Sequence, residues 1–202
     1  MVLFGKGLAF GFLLAATVGP MWVLCLRRTL ASGALTGFVS GMGIAAADGF
    51  YGAVAAFGLT AVSGFLLGYS FWIGAVGAAF LFYLGIKALL SHPALEEGKD
   101  DRPNLATAFF STLGLTLANP PTILAFAAVF AGLGLVSTSD YAAAGWIVLG
   151  VFLGSAAWWV ILAGAAGRLR HRLGARVLRG INVVSGISIL GFATWQAAAL
   201  FR

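Results

Sequence analysis

From Thr29 to Ile86 the chain carries a single charged side chain, Asp48, and from Leu105 to Gly167 again a single one, Asp140. A soluble domain carries about 25% charged residues, distributed over its surface. Stretches this long and this poor in charge cannot cover a globular exterior. They are several times the roughly 20 apolar residues that cross a bilayer. Over all 202 residues the charged fraction is 9% and the hydrophobic fraction 61%. The chain therefore reads as an all-α polytopic membrane protein.

Residues 7–26 form an uncharged run that, at about 1.5 Å per residue, covers the roughly 30 Å hydrocarbon core. It is long for the apolar part of a signal peptide and runs directly into Arg27 and Arg28, so it is expected to be a retained first span. Residues 34–59 and 65–90 are expected to be the second and third helices, turning around residues 60–64. Residues 91–104, SHPALEEGKDDRPN, hold two of the five prolines and six charges and form a hydrophilic cytoplasmic connector. A fourth and fifth helix follow between residues 105 and 167, with a hairpin in the GLGLVSTSD stretch, and a sixth at residues 180–201. One transmembrane domain, residues 1–202, thus divides into halves at 1–90 and 105–202.

Charge orients it. The connectors after helices one, three and five hold Arg27, Arg28, Lys87, Lys99, Arg102, Arg168, Arg170, Arg172, Arg176 and Arg179, against Lys6 and Arg202 on the other side. The positive-inside rule then places both termini on the non-cytoplasmic side. Basic residues beside apolar spans point to lipid headgroups and not to nucleic acid. A single cysteine, Cys25, excludes an intrachain disulfide and a two-cysteine redox shuttle.

The halves resemble each other. FLLAATVGPMWVL from Phe12 aligns with TLGLTLANPPTIL from Thr112, setting Gly19 and Pro20 over Asn119 and Pro120. The second helix on the fifth, at an offset of 107, sets Gly43 over Gly150 and Asp48 over Ser155. The third on the sixth sets Gly74 over Gly180 and Gly85 over Gly191. An odd number of spans per unit makes the second copy enter from the opposite side: six transmembrane helices as two inverted three-helix repeats, an arrangement found in secondary transporters.

Pro20 and the Pro120, Pro121 pair lie inside spans, where proline removes a backbone hydrogen bond and disfavours helix at the preceding residue. Gly19 tolerates such a break, and Asn119 is a good helix N-cap. Each second half-helix is expected to begin afresh inside the membrane, its free N–H groups offering a carboxylate site; a simple kink is the alternative. Asp48, near the middle of the second helix, costs about 2.5–3.5 kcal/mol on insertion scales. It reads as a functional acid for an amine, a cation or a proton, with a helix-bridging hydrogen bond as the alternative. Nothing basic lies at its depth.

The glycines are read mainly as packing positions. Trp146, Trp158, Trp159 and Trp195 fit interfacial belts and receive no role. His92 and His171 lie in connectors without metal-site spacing, and no serine shares a span with a histidine and an acid. No catalytic group, metal site or cofactor is expected.

These segments resemble the lysine exporter (LysE/RhtB) type of amino-acid translocator. GPMWVLCLRRTLASGALTGFVSGMGIAAADGFYGAVAAFGLT is similar to that family's opening block, FWIGAVGAAFLFYLGIKAL to its third helix, ANPPTILAFAAVF to its fourth and INVVSGISILGF to its last. The resemblance implies a non-enzymatic exporter of amino acids or related metabolites in the bacterial inner membrane, driven by protons. It marks Gly19, Pro20, Asp48, Asn119 and Pro120 as motif residues, for substrate, with Asp48 also for proton coupling. NPPT departs from members with a basic residue soon after the proline, which argues against lysine as cargo. Whether the protein forms a homo-oligomer is left open. A cadmium-type cation exporter of similar layout is the competing reading.

Overall fold

The computed structural model describes residues 2–57, 68–90, 104–119, 122, 126, 141–170 and 175–201. The expected turn at 60–64, most of the connector, the hairpin ending at Asp140, and Pro120 lie outside the described residues. Among the described residues there are seven helices and no strand: α1 (Val2–Ala16), α2 (Pro20–Ser32), α3 (Ala34–Ala56), α4 (Ser70–Leu90), α5 (Leu105–Leu117), α6 (Tyr141–Arg170) and α7 (Ala175–Ala199).

The expected first span is a broken one. Pro20 disfavours helix at Gly19, which is extended at φ −153° and ψ −174°, and α2 starts with proline in its first position, where the missing N–H costs nothing. The axes of α1 and α2 meet at 74°. A second corner, not foreseen from the sequence, falls at Gly33 between α2 and α3. Its φ of 98° is a value that L side chains rarely adopt, and its N–H closes α2 by donating to the Thr29 carbonyl at 2.9 Å.

Among the described residues four helical stretches are long and apolar enough to cross a membrane: Ala34–Ala56, Phe71–Leu90, Tyr141–Leu169 and Arg179–Ala199. The bent pair α1–α2 makes a fifth if it counts as one span. Helix α5, with 13 residues, is too short by itself, and beyond it only Ala118, Asn119, Thr122 and Phe126 of the expected fourth span are described. The protein is thus a multi-pass helical membrane protein.

Side chains are distributed as lipid demands. Thr29, Ser40, Asp48, Thr112, Thr116, Ser155 and Gln196 are buried, while Leu13, Val76, Phe110, Val184 and Ile187 face outward. Polar groups have no water to turn to in hydrocarbon and are satisfied inside the bundle. Helix α3 is the most enclosed, packed against α2, α5 and α6, and α4 pairs with α7. This puts Asp48 at the centre, about 21 Å along α3 from Ala34 at 1.5 Å per residue.

Helices α1 and α6 make the most extensive contact in the fold, and glycine is the reason. Gly7 and Gly11 on α1 abut the carbonyls of Ile147 and Val151, while Gly150 and Gly154 on α6 abut those of Phe4 and Leu8. Two glycine pairs, each spaced by four residues, therefore face each other backbone to backbone, the close approach that small residues permit in lipid. A side chain at any of the four would meet main chain, which cannot rotate away. Gly154→Val is expected to lower stability by roughly 1–3 kcal/mol or more. Gly145→Ala, on the same helix with open space around it, should change it by less than about 0.5 kcal/mol in either direction. Thermal unfolding in detergent compares the two.

Candidate functional site

The broken backbone creates the site. Where α1 ends, Thr17 donates its hydroxyl back to the Leu13 carbonyl at 3.1 Å, and the chain crosses Val18 and Gly19 before α2 begins. Where α5 ends, its last carbonyls lose their helical partners and are met by side chains from elsewhere. Tyr51 of α3 donates to the Leu117 carbonyl at 2.7 Å. Gln196 of α7 donates to the Gly74 carbonyl at 2.9 Å and reaches that of Ala118 at 3.5 Å. Asn119 accepts the amide of Thr122 at 3.0 Å through its backbone carbonyl, as an N-cap does, but its side chain donates to the Thr122 hydroxyl at 2.9 Å.

Between the two breaks lies Asp48, 2% exposed. Ser155 of α6 donates to its Oδ2 at 2.7 Å, and the Trp159 indole N–H in turn donates to the Ser155 oxygen at 3.2 Å. The indole occupies the serine lone pair and so directs the serine proton at the carboxyl group. Oδ2 is thereby held in place. No basic side chain pairs with Asp48 among the described residues.

A cavity of about 330 Å³ joins these parts, and Gly19, Pro20, Asp48 and Asn119 all line it. Four of the five residues singled out in the sequence therefore meet in one space, and Pro120 lies outside the described residues. Sequence reasoning missed the rest of the wall: Trp22, Thr116, Trp159, Phe192, Trp195 and Gln196. Trp159 and Trp195 had looked like interfacial residues. Only a register marking the inward face of each helix would have separated them from a belt.

Arg28 is also placed differently from expectation. Read as an orientation charge, it is buried instead, donating to Ser40 at 3.1 Å, the Ala108 carbonyl at 3.0 Å and Ser111 at 2.8 Å. It ties α2 to α3 and α5 and does not line the cavity. Among the described residues no group of three histidine, cysteine or acidic side chains is arranged to hold a metal ion.

A multi-pass helical protein with an acid and two helix breaks around one internal cavity has the form of a membrane transporter. A family model, that of the LysE type translocators, matches residues 12–197, and the chain belongs to that family. Its members move solutes and are not enzymes. The chain is similar to YcgF of Bacillus subtilis (strain 168), a candidate amino acid efflux protein, at 26% identity over 95% of this chain and 93% of that one. No solved structure matches it.

The carbonyls at the end of α5 depend on distant donors, so removing one should register in stability before it registers in chemistry. Tyr51→Phe keeps the ring and leaves the Leu117 carbonyl unmet. A loss of about 1–2 kcal/mol is expected, read as a lower unfolding midpoint at unchanged helix content.

Proposed function

We propose that the protein is a secondary exporter of amino acids in the bacterial inner membrane, coupled to protons and working by alternating access between two inverted repeats. The carrying observation is that one cavity is lined by both helix breaks and by Asp48. The first turn of α2, with its free N–H groups and the positive end of the helix dipole, suits the substrate carboxylate. The uncommitted oxygen of Asp48 suits the ammonium, or a proton exchanged for it. The family and the relative named for amino acid efflux support an exporter.

The inverted repeat draws support from three features. Asp48 and Ser155, equivalent under the offset of 107, touch each other, as equivalent residues do when they lie on the pseudo-two-fold axis. Their equivalents Gly43 and Gly150 make parallel contacts, Gly43 with the Phe109 carbonyl on α5 and Gly150 with the Phe4 carbonyl on α1. Helix pairing follows the same rule, with α3 on α6, α4 on α7, and α1 on α6 mirrored by α5 on α3. In this reading residues 1–90 and 105–202 are the two units of one transmembrane domain. With the buried Arg28 set aside, nine basic residues on one set of connectors against two on the other favour both termini outside the cytoplasm.

Asp48→Asn tests the role of the acid. The amide keeps size and can still accept from Ser155, but it cannot ionise. Membrane insertion should ease, by at most the 2.5–3.5 kcal/mol cost of the acid, while export falls by about 100-fold or more. Cellular efflux of the amino acid is measured against protein level in the membrane. Full export by the asparagine variant would reduce Asp48 to a helix bridge.

A further inference from the structure

We infer that the cavity selects neutral amino acids with an apolar side chain, and discriminates against basic and acidic ones; this rests on the exporter reading above. The walls of the cavity have few polar groups left to offer a ligand. Thr17 and Thr116 donate their hydroxyls to carbonyls of their own helices, Leu13 and Thr112. Asn119 donates to Thr122 and Gln196 to the Gly74 carbonyl. These polar residues line the cavity, but the hydrogen bonds they donate go to other groups of the protein and none of them carries a charge.

What stays uncommitted suits an amino-acid headgroup: one carboxyl oxygen on Asp48 for the ammonium, and, for the carboxylate, the unpaired amides at the start of α2 together with the Trp22 indole N–H, which has no partner among the described residues. The side-chain amide oxygens of Asn119 and Gln196 add neutral acceptors but no charge. The remaining wall is apolar or aromatic, with Leu14, Met21, Ile44, Phe192 and Trp195 prominent.

Charge sharpens the selection. One acid can pair with one ammonium, so the second ammonium of lysine would lie among apolar side chains. Attraction to the face of a tryptophan returns only part of the hydration it gives up. A second carboxylate, as in glutamate, would need a cation. Among the described residues no basic side chain lines the cavity, and none occurs in the sequence from Thr29 to Ile86 or from Leu105 to Gly167. Of the two guanidinium groups on α2, Arg28 is engaged with Ser40, Ser111 and the Ala108 carbonyl and Arg27 donates to Asn182, and neither lines this space. A leucine, methionine or phenylalanine side chain meets none of these penalties and displaces water from apolar walls.

The test uses the purified full-length protein in liposomes loaded in turn with radiolabelled leucine, phenylalanine, lysine and glutamate, with efflux rates compared at equal concentration. Leucine and phenylalanine should leave at least about tenfold faster than lysine or glutamate, equivalent to about 1.4 kcal/mol of discrimination. Phe192→Asp adds a second acid to the wall and should raise the lysine-to-leucine ratio about tenfold or more, while Phe192→Asn, similar in size and uncharged, should not. Lysine or glutamate moving as fast as leucine through the unaltered protein would overturn the inference and leave the exporter standing. Failure of all four to move would instead count against the exporter reading itself.

Discussion

A hydrocarbon slab offers no hydrogen-bond partner, so a backbone broken inside it must find every lost partner within the protein. The rest of the structure is arranged around that requirement. Pro20 ends α1 and restarts α2, and a second interruption follows Leu117. Tyr51 reaches across from α3 to the Leu117 carbonyl at that second point, and Gln196 of α7, which donates chiefly to Gly74 on α4, comes within 3.5 Å of the Ala118 carbonyl there. The amides exposed at the first point lie beside a cavity lined by Gly19, Pro20, Met21 and Trp22, where the proposed substrate carboxylate would meet them. One break is thus stitched to the bundle at its carbonyl end, while the other keeps its amide end open.

Asp48 obeys the same constraint from the side-chain direction. A carboxyl group this deep is tolerated only with a partner, and Ser155 with Trp159 supplies one for a single oxygen. The arrangement fixes the group without using it up. Replacing Ser155 by a cation would satisfy Asp48 more fully and leave it nothing to offer an incoming ammonium. A neutral partner is therefore the chemistry expected of an acid that binds and releases.

Much of this was legible in the sequence, for identifiable reasons. Proline inside an apolar run has few outcomes, so the break at Gly19 and the new helix at Pro20 could be placed to the residue. Asp48 stood out because a lone acid in 58 residues has no solvent to explain it, but the alignment that set it over Ser155 did not foretell that the two would meet, at 2.7 Å. The burial of Arg28 was not legible, because an arginine at the end of an apolar stretch looks the same whether it faces headgroups or turns inward to two serines. Nor were Tyr51 and Gln196, since a side chain that meets a carbonyl 66 or 78 residues away leaves no local pattern. The glycines advertised close packing, but which helix each would meet depends on tertiary register alone.

The central claim is that the cavity between the α1–α2 break and Asp48 is where substrate is held, and a structure of the protein with bound leucine in a lipid nanodisc tests it most directly. The expected result is density for one leucine in that cavity, its ammonium within about 3 Å of the free Asp48 oxygen and its carboxylate against the first amides of α2. Leucine seated elsewhere in the bundle, with this cavity unfilled, would contradict it.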